Sequence, residues 1–154
     1  MAITMRQITV TRPADTNAYT AGDAISDKTS APSDIKVTDA GRGYIVGVIA
    51  HIDTVDITPR LRIFFHNTAP TQIADNAAAP TPLAADSAKF RGYIDLAAMT
   101  SSGVGSDDSS HAQNMSVRHP IDSGNFYLIV QTLDAFTPES AAVLTLTFLV
   151  ERGA

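Results

Sequence analysis

The chemistry available to this chain rests on four histidines, sixteen acids and a few serine- and glycine-bearing loops. His51, His66, His111 and His119 are the imidazole donors for a metal, cysteine is absent, and they show neither an HxH nor an HExxH spacing. His51 and His66 each close an apolar run, where a hydrogen-bonded structural histidine is the ordinary role. Asp107-Asp108, or Asp53 with Asp56, offer carboxylates without the D-x-[DN]-x-[DN]-G order of a calcium loop. Asp53 and Asp56 as a glycosidase pair would stand without a tryptophan platform for the sugar. Ser109-Ser110-His111 is no triad element, and G-x-S-x-G does not occur. Gly103-Val104-Gly105 lacks the third glycine and the following helix of a phosphate cradle. Asn114-Met115-Ser116 fits a glycosylation sequon, which is idle without a secretory signal. The expectation is no enzyme, no cofactor, and no catalytic, cofactor-binding or metal residue.

The elements that would carry any site are short and extended. The chain is organised around Leu61 to Leu96, where two strand-like runs, Leu61-Arg62-Ile63-Phe64-Phe65 and Gly92-Tyr93-Ile94-Asp95-Leu96, enclose an Ala/Pro/Asn/Asp-rich excursion. Pro70, Pro80 and Pro82 forbid a long helix there, and one helical turn capped by Asp86 fits within Leu83 to Phe90. At the N-terminus Ile3 and Met5 share one parity and Ile8 and Val10 the other, which predicts a bulge near Arg6-Gln7 or two short pieces. Ile35 to Val37 reads as an edge strand. Tyr44 to Ile52 is apolar on both parities, which predicts a central strand buried on both faces and paired with Leu61 to Phe65. Met99 to Asn114 reads as a long polar loop, Met115 to Val117 as a short strand and Phe126 to Gln131 as a strong one. In the last strand Leu144, Leu146, Phe148 and Val150 face one way, and Thr145, Thr147 and Glu151 the other.

About eight strands joined by Gly/Pro/Asp turns, with no crossover helices, predict an all-β fold: an antiparallel β-sandwich, jelly-roll-like, with long loops and little helix. Residues 1–154 read as a single domain. With 44% hydrophobic and 18% charged residues the chain is globular. A net charge of -5, with Arg60 and Arg62 as the densest basic pair, argues against nucleic-acid binding. No apolar run reaches the ~18 residues of a membrane span, and no secretory pattern opens the chain, so synthesis in a cytoplasm and no membrane partner are expected.

Several short motifs recur in a familiar order. Thr9-Val10-Thr11-Arg12-Pro13 leads through Asp15-Thr16-Asn17-Ala18-Tyr19 to Ala21-Gly22-Asp23. Leu61 to Phe65 is followed by Ala69-Pro70-Thr71, Asp75-Asn76-Ala77-Ala78 and Gly92-Tyr93-Ile94. Tyr127-Leu128, Phe136-Thr137-Pro138 and Leu144-Thr145-Leu146 follow near the end. Together they resemble the jelly-roll decoration, or cement, proteins of tailed-bacteriophage heads; Ala78-Ala79 departs from that pattern, which would carry a larger aromatic. The resemblance implies a structural virion protein on the outer surface of an icosahedral head. It implies the major capsid protein as partner and a homotrimer at three-fold or quasi-three-fold points. The expected contact residues are Ile3, Met5 and Ile8 of the first strand, with Pro70, Ile73, Asn76, Pro80, Pro82 and Leu83 of the excursion. Another head or tail component is a neighbouring reading. A carbohydrate-binding jelly roll is the reading from a different class, and it is disfavoured by the absence of tryptophan and by tyrosines placed inside strands.

Overall fold

The computed structural model describes residues 2–38, 40–79, 83–102, 109–122 and 124–152. Eleven strands form two antiparallel sheets among these residues, with one 3-10 turn, Ala84–Asp86. The first sheet contains β1 (Ile3–Thr11), β4 (Gly43–Ile52), β7 (Thr100–Ser102), β8 (Ser109–Asn114), β9 (His119–Ile121) and β11 (Val143–Arg152), in the order β1-β11-β4-β8-β7, with β9 also beside β4. The second contains β2 (Ala24–Ile25), β3 (Ile35–Val37), β5 (Leu61–His66), β6 (Phe90–Asp95) and β10 (Phe126–Thr132), in the order β2-β10-β5-β6, with β3 also beside β10. The chain changes sheet at six of the ten connections between consecutive strands, and the orders β1-β11-β4-β8 and β2-β10-β5-β6 are those of a jelly roll. One apolar core lies between the sheets, with Phe65, Phe126 and Phe148 in mutual ring contact at its centre.

The last strand has the alternation read from its sequence. Leu144, Leu146, Phe148 and Val150 are buried, and the residues between them are half-exposed.

Four expectations are corrected. First, β1 is continuous, in unbroken register with β11 from Ile3 opposite Glu151 to Thr11 opposite Val143. Its parity switch arises because Ile3 and Met5 point outward, while Ile8 and Val10 point to the core. Second, β4 is apolar on both parities because of a bulge, not because both faces are buried. Leu149 pairs with Gly47 and Val150 with Ile45, so Val46 is the extra residue, and Ile45 and Val48 both turn inward. Third, β5 does not pair with β4; it lies in the opposite sheet between β10 and β6. Fourth, the described parts of the polar stretch Met99 to Asn114 pair as two antiparallel edge strands, β7 with β8, and Met115 to Val117 is not a strand. The Ser110 hydroxyl is buried in β8 and donates to the Thr54 carbonyl at 2.8 Å, which satisfies a polar residue in a strand position.

Candidate docking surface

The excursion between β5 and β6 is a third layer rather than a free loop. Phe64 and Ile129 face each other across β5 and β10 and are buried, yet they lie outside the core between the sheets. Gln131, on the same parity as Ile129, donates its side-chain amide to the Ala79 carbonyl at 2.8 Å. The excursion therefore covers the outer face of the second sheet.

Two buried carboxylates hold it there. Asp75 accepts from the Tyr19 hydroxyl at 2.6 Å, the Ser26 amide at 3.0 Å and the Arg12 guanidinium at 3.2 Å. Arg12 Nε also donates to the Tyr19 oxygen, and Arg12 Nη1 reaches the Asp15 and Glu139 carbonyls. Tyr19 stacks on Phe136 with ring centroids 4.9 Å apart. Burial pushes the Tyr19 phenol well up, and its hydrogen bond to Asp75 adds to the shift. Four of the motifs read from the sequence thus meet in one knot. The next residue, Asn76, adopts φ 58° and donates its amide to the Ala24 carbonyl, a left-handed turn that asparagine tolerates better than most residues. At the base of the excursion Asp86 accepts from Lys89 Nζ and from the Thr71 amide, both at 2.9 Å. The Lys89 hydrogen bond holds the Asp86 carboxyl below its ordinary range. Asp86 therefore staples the excursion instead of capping the turn, whose N-cap is Leu83 without a side-chain cap bond.

The residues named for contact are not equivalent in this setting. Ile3 and Met5 are 62% and 69% exposed, while Ile8 packs against the core and Pro70 is buried. Ile73, Asn76 and Leu83 are half-buried; Pro80 and Pro82 lie outside the described residues.

Met5 belongs to a band that sequence reasoning missed. It pairs with Leu149, which pairs with Gly47, and Met115 lies over Gly47, so that a Cβ there would sit 2.8 Å from the Met115 sulfur. Three apolar side chains therefore run across the outward face of the first sheet. The signal was hidden by two register facts, the outward parity of Met5 and the bulge at Val46.

The histidines divide into two pairs. His51 and His111 are opposite one another on the exposed face of β4 and β8, and among the described residues no cluster of three or more metal-binding side chains forms. His66 and His119 line a cavity of about 10 Å³, on the scale of one water. His66 is 1% exposed, and among the described residues no well-formed hydrogen bond reaches either of its ring nitrogens or His119 Nε2. Burial lowers the pKa of both. Asp53 caps the last strand, accepting from the Val143 amide at 2.6 Å, and Asp56 accepts from the Ser101 hydroxyl at 3.1 Å. Asp107, Asp108 and Gly103 to Gly105 lie outside the described residues.

Comparison with known proteins gives no matching family model and no match among curated proteins. A solved structure described as the cyanophage Pam1 capsid asymmetric unit aligns over 97% of this chain and 85% of that one, at 14% identity and a TM-score of 0.35.

Proposed function

We propose that this protein is a structural component of a tailed-bacteriophage virion that binds the outer surface of the head and ties neighbouring capsomers together. In this reading it acts as a homotrimer at three-fold or quasi-three-fold positions against the major capsid protein. The sequence motifs support the phage setting. The observation that carries a docking role is the apolar band Met5–Leu149–Met115 on the outward face of the first sheet. Solvent-facing apolar side chains on a rigid sheet are what a partner surface requires. The excursion contributes a second, preformed surface, because its inner side is fixed by Asp75 and Asp86 while Thr71, Ala84 and Ala85 remain exposed. A trimer on a three-fold axis repeats one weak contact three times, so affinity grows by effective concentration.

The glycan reading finds less support. Tyr44 and Tyr93 are exposed, but a guanidinium group lies over each ring, Arg118 at 3.9 Å and Arg62 at 4.2 Å, and would compete with a pyranose for that stacking surface.

The test is co-sedimentation with emptied heads of the phage whose genome carries the gene. Binding should be lost on Met5→Asp and weakened at least tenfold by the double change Ala84→Arg, Ala85→Arg. Binding unaffected by all of these substitutions, or none by the unaltered protein, would remove the proposal. Deleting residues 72–82 is a poorer test, because it also removes Asp75, the buried carboxylate that Arg12, Tyr19 and Ser26 share.

A further inference from the structure

The free edge of β1 stands apart from the apolar band. Hydrogen bonds from the Arg152 amide to the Ala2 carbonyl (3.1 Å) and from the Arg12 amide to the Ala142 carbonyl (3.0 Å) bracket the β1–β11 ladder. Register is unbroken between them, and antiparallel pairing alternates, so the even-numbered residues turn their peptide groups toward β11. Ile3, Met5, Gln7, Thr9 and Thr11 turn theirs away, and β1 ends the strand order of its sheet. Along this edge, among the described residues, the recorded partner is the Arg6 guanidinium on the Met5 carbonyl at 3.0 Å. The strand is nine residues long and carries no proline, lysine or bulge; of the devices that normally blunt an open edge it has a single charge, Arg6, on the inward parity.

A groove of about 390 Å³ follows the C-terminal half of this edge, bounded by residues 8–11 and faced by Asp27, Asp34 and Ile35. Both parities of β1 line it, so it runs beside the strand rather than under one face. Its volume admits about two to three residues of extended chain at ordinary strand and sheet spacings.

We propose that the occupant is β1 of a second copy, running antiparallel about a two-fold axis through Gln7. In that register the partner's Met5 lies opposite Thr9 and the partner's Ile3 opposite Thr11, joining the outward-facing peptide groups of both edges. The partner's Arg6 lies opposite Ile8, at the groove that carries Asp27 and Asp34. β1 contains one cation and no acid, and the groove wall supplies two carboxylates, so the charges complement each other twice by symmetry. The two outer sheets then continue as one.

Sedimentation velocity of the full chain tests this without any capsid. The unaltered protein should have a mass that is an even multiple of 16.3 kDa, a dimer, or a hexamer where three-fold contacts also form in solution. Thr9→Pro removes one edge-facing N–H and none bonded to β11, and should halve that mass with the circular dichroism unchanged. Arg6→Glu should do the same, and adding Asp34→Lys should restore the larger species. A monomer or a trimer for the unaltered protein, or a mass that neither Thr9→Pro nor Arg6→Glu reduces, overturns the edge pairing. A trimer that binds heads would do so while leaving the virion reading in place.

Discussion

Asp75 joins three segments far apart in the sequence. Its carboxylate holds the first strand through Arg12, the following connection through Tyr19 and Ser26, and it belongs to the excursion itself. Asp75→Asn keeps the shape but leaves the Arg12 guanidinium, 2% exposed in its side chain, with only the more exposed Asp15 as charge partner, and sets an amide N–H₂ among groups that are all donors. Such a loss should lower the unfolding free energy by about 3–5 kcal/mol, read as a drop in the urea midpoint at constant slope. Tyr19→Phe removes two hydrogen bonds, the one given to Asp75 and the one accepted from Arg12 Nε, but keeps the ion pair, and should cost less, about 1–3 kcal/mol. The buried His66 and the half-buried His119 set a pH dependence. Their folded pKa values lie below those of the unfolded chain, so the unfolded state binds more protons once pH falls below about 6.5. Stability contributed by keeping them neutral is full above that value and is lost as pH falls toward their folded pKa values. Thermal melts from pH 7.5 to 5.0 should show a falling Tm, and His66→Leu should flatten the fall. An equally steep fall in that variant would mean that carboxylates, not His66, dominate the window.

At the scale of the element, two glycines of β4 separate tight backbone from adaptable side chain. A Cβ at Gly43 would lie 2.0 Å from the Glu151 carbonyl oxygen, which belongs to the ladder and cannot step aside. Gly43→Ala should therefore cost about 3 kcal/mol or more, whereas Gly47→Ala meets the flexible end of Met115 and should cost under about 1 kcal/mol. Differential melting of the two variants checks the contrast. The same strand shows where sequence reading succeeds and where it stops. β11 was legible because period-two alternation and burial coincide along its whole length. β4 looked doubly buried because a bulge shifts its inward set by one residue, and no residue type marks that bulge. β8 was missed because its inward positions include Ser110, whose burial is made tolerable by hydrogen bonding rather than by apolar character. The knot around Arg12 was visible only as separate motifs, since nothing local says that a charged side chain will be buried against another sixty-three residues away.

For the whole molecule, the sandwich presents different surfaces on its two sides. The second sheet is roofed by its own chain, while among the described residues the first has no such layer and carries the apolar band and the open edge. A head-binding protein with this asymmetry should lose binding through outward substitutions on β1 or β11 and keep it through changes at Tyr127 on the opposite sheet. Comparing Met5→Asp with Tyr127→Asp in the co-sedimentation assay gives that answer directly. The pairing of first and last strands has a mechanical side. Ile3 lies opposite Glu151, so the start of one strand and the end of the other leave from the same corner. A pull between those two points peels the ladder one hydrogen bond at a time instead of shearing all of them together, because the bonds lie across the strands and along the force. The molecule should open at low force when stretched by its ends, however stable it is to heat. Tension carried by a shell would be borne safely only where it enters through the sheet faces, away from that corner.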